Sequence, residues 1–159
     1  MNCEKMINLD EIDKHSNYCF KIKGKDKKEY SFQDYITIIN NKINNIYNYL
    51  SKTQNDKNNI YVSNFDFNEA LDLILLLKKK LKEILNIKII NSFSINKMSK
   101  INTTFYKLIK KYSYSTNIFT LLNRIKVLLE EKIKYFKEYN KKINKIENKI
   151  KDQEEKKYY

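Results

Sequence analysis

The chain contains no proline and a single glycine, Gly24, in 159 residues. Hairpin turns, β-bulges and phosphate-cradling loops need backbone conformations that glycine reaches freely or that proline fixes, so sheet-rich and Rossmann-type folds have almost nothing to turn on. An all-α fold is expected. The length suits one domain of ordinary size. Hydrophobic residues, 42% of the chain, supply enough apolar mass for a core, which separates the chain from a disordered tail.

Helical periodicity begins at Ser31. Ser31 and Asp34 have the spacing of a capping box, and Phe32, Ile36, Ile39, Ile43, Ile46 and Leu50 follow at steps of three and four. Lys52 to Asn59 is wholly polar and reads as a connection. Asp66 with Glu69 forms a second capping signal ahead of Phe67, Ala70, Leu71, Ile74, Leu77, Leu81 and Ile84 on one helical face. Leu73, Leu75 and Leu76 lie off that face, so this second helix is expected to be central and packed on several sides. Lys78, Lys79, Lys80 and Lys82 then carry it into solvent and complement the C-terminal end of its dipole.

Asn86 to Ser94 reads as a short third helix or turn built on Ile87, Ile90 and Phe93. Ile101, Phe105, Leu108 and Ile109, with Tyr112, mark a basic fourth helix that Lys110 and Lys111 finish. From Ile118 the stripe Leu122, Ile125, Leu129, Ile133, Phe136, Tyr139, Ile143, Ile146 and Ile150 describes one long fifth helix. At 1.5 Å per residue it is on the order of 55 Å long, about twice what a small bundle covers, so its second half must project. The expected layout is a flexible lead over 1–30, a compact five-helix bundle over 31–137 and a helical extension over 138–159. Beyond Phe136 the stripe narrows to a coiled-coil-type seam of two residues per heptad, open to a partner helix over 139–150 or to solvent.

The net charge of +13 would ordinarily suggest nucleic acid or an acidic membrane. However, 31 of the 32 basic residues are lysine, and Lys, Asn, Ile and Tyr together make up 89 of the 159 residues. All four have A/T-rich codons, so a biased genome accounts for much of the charge. Arg124 is the only arginine, although arginine is preferred for bidentate phosphate and guanine contacts. Nucleic-acid binding is therefore a secondary reading. The excess lies in the second half, +6 over 65–115 and +5 over 116–159.

Catalytic constellations have too few members. His15 is the only histidine, and Cys3 and Cys19 give neither a disulfide framework nor zinc-ligand spacing. Asp66 and Glu69 explain themselves as helix caps, and Gly24 lacks the second glycine of a phosphate loop. The sequence thus implies no catalytic residue, no metal site and no cofactor, hence no enzyme. The longest apolar run, Leu73 to Leu77, is far shorter than the roughly 20 residues of a membrane span. The acidic N-terminus resembles neither a secretory signal nor a transit peptide. A nuclear location is expected, with the cytosol as the alternative.

The thirteen tyrosines divide by position. Tyr35, Tyr47, Tyr106 and Tyr139 fall on or beside apolar faces, whereas Tyr61, Tyr112 and Tyr114 occupy or border links. A link tyrosine either offers a partner contact or closes a bundle end, and both readings stay open.

Three stretches resemble the N-terminal domain of transcription elongation factor S-II and its relatives, most closely the integrase-binding domain of the chromatin adaptor LEDGF. They are Ile36 to Leu50, Ser63-Asn64-Phe65-Asp66-Phe67-Asn68 leading into Ala70-Leu71-Asp72, and Ile101 to Ser115. The run Lys110-Lys111-Tyr112-Ser113-Tyr114-Ser115 is similar to that family's basic-basic-aromatic-x-apolar-Ser loop. The resemblance implies a five-helix module without catalytic activity that docks disordered acidic and aromatic motifs of transcription or chromatin proteins. It implies two docking loops, one at Val62 and Ser63, the other at Tyr112 and Tyr114 with Lys110 and Lys111 beside them. In that arrangement the two tyrosines and Val62 would wall a pocket for an aromatic anchor, and the lysines would attract the acidic flank. Ser63 stands where the family has a carboxylate, a departure that weakens the acceptor for peptide N–H groups. A structural subunit joined to an assembly through the 139–150 helix is the alternative function.

Overall fold

The computed structural model describes residues 31–55 and 67–155. Among these residues it is all helical, with α1 over Phe32–Asn55, α2 over Phe67–Leu85, α3 over Ser92–Lys111 and α4 over Thr116–Glu155. The chain divides into two compact units between Leu85 and Asn86. The first holds α1 and α2, the second α3 and α4. The expectations for residues 1–30, and the second capping signal at Asp66, lie outside the described residues.

In the first unit, Ser31 and Asp34 form the capping box. The Asp34 backbone N–H donates to Ser31 Oγ at 3.2 Å, and the Ser31 backbone N–H donates to Asp34 Oδ2 at 2.9 Å. Two N–H groups that a helix start leaves without intrahelical partners are thereby satisfied. Ile36, Ile39, Ile43, Ile46 and Leu50 form the buried face of α1, and Ala70, Leu73, Ile74, Leu77, Leu81 and Ile84 that of α2. The α2 stripe differs from the expected one: Leu73 joins the core, Leu71 is only half-buried and Leu75 is exposed. This helix is therefore one-sided rather than packed all round. The wholly polar stretch after Leu50 also continues the helix, as far as Asn55. Lys78 explains the extra turn, since its Nζ donates to Gln54 Oε1 at 2.7 Å and lies 5.6 Å over the Tyr47 ring.

In the second unit, residues 86–91 are non-helical, so no separate short helix is present there. Asn91 is the reason: its side chain accepts the Ser94 backbone N–H at 2.8 Å and starts α3 at Ser92. The spacing of Ile87, Ile90 and Phe93 misleads because only Ile87 is buried, whereas Phe93 is 74% exposed. Four helices, not five, are present among the described residues. Ile95, Met98, Ile101 and Phe105 form the buried stripe of α3, and Ile118, Leu122, Ile125, Leu129, Ile133 and Phe136 are buried along α4.

The pairing of α3 with α4 is antiparallel and its register can be read from polar contacts. Asn102 Nδ2 donates to Glu130 Oε1 at 3.3 Å, and four residues further along α3 the Tyr106 ring lies 4.3 Å beneath Lys126 Nζ, four residues back along α4. Continued to the first residue of α3, this register brings Ser92 level with about residue 140 of α4. About 15 residues of α4, roughly 22 Å, extend past the start of α3. Phe136 is correspondingly the last buried residue among the described ones.

Three buried positions are not apolar, Lys42, Ser94 and Lys132, and of these Lys132 alone has no exposed surface. Lys132 on α4 is fully buried, with Nζ 5.7 Å over the Phe136 ring, and burial pushes its ammonium down to about 8. A lysine held lower in the folded than in the unfolded chain carries its full stability cost below the folded value of about 8, where both states are charged, and the cost fades as pH rises from there to the ordinary 10.5. Lys132→Met is expected to stabilise the protein by about 3 kcal/mol at pH 7. The advantage should shrink to about 1 kcal/mol by pH 10, where the folded lysine is already neutral and about a quarter of the unfolded lysine is. Urea unfolding of both proteins at the two pH values checks this; an advantage that does not shrink would show that the ammonium is not what burial penalises.

Candidate functional site

The link between α3 and α4 is four residues long and is held by its own backbone. Tyr112 closes α3, its N–H donating to the Leu108 carbonyl at 2.9 Å, and its carbonyl accepts the Ser115 N–H at 3.1 Å. The Ser115 carbonyl then accepts the Phe119 N–H at 2.8 Å, the first bond of α4. The turn is thus pinned at both ends, and the side chains on it are presented from a rigid base.

The two tyrosines that sequence treats as a pair are used differently. Tyr112 is buried and Tyr114 is 65% exposed, with ring centroids 6.3 Å apart and planes tilted by 55°. That separation and tilt are in the range of favourable aromatic contacts. Lys111 Nζ sits 4.7 Å over the Tyr112 ring, a cation–π arrangement. Of the two rings expected to wall a pocket, Tyr112 is thus packed into the fold and Tyr114 stands out from it. Lys110 and Lys111 are exposed beside Tyr114. Val62 and Ser63, the other half of the expected site, lie outside the described residues.

Sequence reasoning missed Phe119, which is exposed in the first turn of α4. The signal was available, because Phe119 falls off the Ile118, Leu122, Ile125 stripe that supplies the core. A second missed feature is the charge of this stretch. No aspartate or glutamate occurs between Glu83 and Glu130, so the stretch that carries the tip holds Lys107, Lys110, Lys111 and Arg124 and no carboxylate. An anionic group approaching Tyr114 meets only positive charge from this stretch of chain.

Further along the pair, Glu130 gathers three partners. Its Oε1 accepts from Asn102 Nδ2, accepts the Tyr106 hydroxyl at 3.1 Å and lies 3.6 Å from Lys126 Nζ. The hydrogen bond with Tyr106, followed by the Glu130 carboxylate, raises the Lys126 ammonium above its ordinary value against the desolvation that lowers it. The cluster joins the helices, and it leaves Asn102 Oδ1 buried without a hydrogen-bond partner. Beside it an open cleft of about 490 Å3 is lined by Asn102, Glu130, Ile133, Lys134 and Lys137. Its mixed charges select no ligand class. No group of three or more potential metal ligands occurs among the described residues, and none of their helices is long and apolar enough to cross a membrane.

Compared with protein-family models, curated proteins and solved structures, the chain matches none.

The division of labour between the tyrosines has a measurable consequence. Tyr112→Ala removes a buried ring and should destabilise the fold by about 3 kcal/mol, whereas Tyr114→Ala should stay within about 0.5 kcal/mol of the parent. Denaturant midpoints of the two variants check this. Equal losses would mean that the two rings are equally part of the core.

Proposed function

We propose that the chain is a non-catalytic protein-interaction module of the S-II N-terminal-domain type, whose α3–α4 tip docks a short acidic and aromatic segment of a transcription or chromatin protein in the nucleus. The observation that carries this reading is an exposed Tyr114 ring in contact with a buried Tyr112, in a stretch of chain that holds lysines and no carboxylate. A ring held on a pinned turn loses little freedom on binding, which is what makes a presented aromatic an effective anchor. Phe119 adds a second exposed aromatic surface close by in the chain. The lysines contribute mainly to the encounter rate and to the choice of an acidic flank. The resemblance of Lys110 to Ser115 to the family's docking loop supports the same assignment. Phosphate recognition is the weaker reading because the tip offers lysines, and a lysine contacts phosphate as a point charge rather than through a planar fork.

The test is fluorescence anisotropy with labelled peptides that place Phe or Trp among Asp and Glu. Tyr114→Ala should weaken binding about tenfold or more with an unchanged unfolding midpoint. Replacing Lys110→Glu together with Lys111→Glu should weaken it most at low salt, and the difference should fade as salt screens the charges. Peptide affinity indifferent to Tyr114→Ala would remove the tip from the account.

A further inference from the structure

The buried stripe of α4 does not stop where its cover stops. Leu122, Ile125, Leu129, Lys132 and Phe136 follow one another at alternating steps of three and four, and all are fully buried or nearly so. The same alternation runs on without a break through Tyr139, Ile143, Ile146, Ile150 and Gln153. There, Ile146 is 58% and Ile150 49% exposed, Tyr139 is exposed and Ile143 half-buried. One straight seam thus has a covered half and an uncovered half, and the change falls near residue 140, where the register brings α3 to its first residue. A bare helix of about 15 residues is marginal in water, so a persistent overhang needs a cover.

The charges beside the seam say which cover fits. With Phe136, Ile143 and Ile150 at a, and Tyr139 and Ile146 at d, Lys142 and Lys149 take g positions and Glu147 an e position. In a parallel pairing of identical helices, each g residue meets the e residue five further along its partner, so Lys142 of one chain meets Glu147 of the next. The sequence repeats that spacing at Lys149 and Glu154. In an antiparallel pairing, g meets g and e meets e, which would set lysine against lysine and glutamate against glutamate. We propose that the α4 overhang is the site of parallel self-association, its seam covered by the same seam of other copies of this chain. The three isoleucines of the seam, Ile143 and Ile150 at a and Ile146 at d, favour three strands over two, while Tyr139 and Gln153 hold the other d positions. This goes beyond the docking role and does not depend on the tip.

The experiment is sedimentation equilibrium of the full chain alongside Ile146→Asn, with a third protein carrying Gln153→Cys in a Cys3→Ser, Cys19→Ser background. The parent should sediment as an oligomer, three chains being the expected number, and Ile146→Asn should fall to a single chain while keeping its unfolding midpoint. Gln153→Cys should form an intermolecular disulfide on mild oxidation, because a parallel seam places residue 153 beside its own copy. Reversal at Lys142→Glu should weaken association and the double exchange with Glu147→Lys should restore it. A monomeric parent overturns the proposal and leaves the seam to a different protein. An oligomer that survives Ile146→Asn, or one that the Gln153→Cys substitution does not cross-link, overturns it as well.

Discussion

The second unit depends on a single carboxylate. Glu130 accepts from Asn102 and Tyr106 of α3 while Lys126 of its own helix lies against the same oxygen. Apolar stripes alone permit two helices to slide by a turn with modest loss, because isoleucine and leucine along a helix face are nearly interchangeable contacts. A half-buried carboxylate is less forgiving. Sliding α4 by one turn would separate Glu130 from its donors and leave Asn102 without its acceptor, and groups stripped of both water and partner cost about 1–3 kcal/mol each. The polar knot therefore selects one register from those that the hydrophobic stripes allow.

The two functional features at the ends of this unit follow from that register. At one end, the helices come level with only Tyr112 to Ser115 between them, and the short link forces one tyrosine inward and the next outward. At the other end, α3 starts opposite the middle of α4, and the seam of the longer helix passes beyond it. The same antiparallel pair thus presents an aromatic and cationic tip in one direction and an uncovered heptad seam in the other. The lysine-rich composition takes on structural meaning through position: Lys78 ties α1 to α2, Lys111 lies over Tyr112, and Lys132 is buried at a d position at a cost in stability.

Much of this is legible in the sequence where the cause is local. The Ser31–Asp34 box, the α1 stripe and the long run from Ile118 are patterns of spacing that a helix converts directly into faces, and the structure has them. Features set by partners far away in the chain are not legible. The last turn of α1 is polar and looks like a loop until Lys78 reaches Gln54. Leu75 and Leu73 are chemically alike, and only packing decides that one is exposed and the other is core. Asn91 reads as part of a short helix or turn, yet its side chain determines where α3 starts and so reduces an expected pair of helices to one. Lys132 is invisible to any count of apolar residues, although it completes the alternating steps between Leu129 and Phe136. At the candidate site, the spacing of Tyr112 and Tyr114 is plain but their opposite burial is not, because neighbouring positions on a turn carry no periodicity.

The register at Glu130 is tested most directly by a nuclear Overhauser spectrum of the folded protein, with the Tyr106 ring signals identified by their change in Tyr106→Phe. The account predicts cross-peaks from that ring to the Lys126 side-chain methylenes, as a centroid-to-ammonium distance of 4.3 Å requires. Cross-peaks to Leu122 or Lys134 in their place would mean that α4 has slipped by a turn or more. The position of the tip and the length of the overhang would then both be wrong.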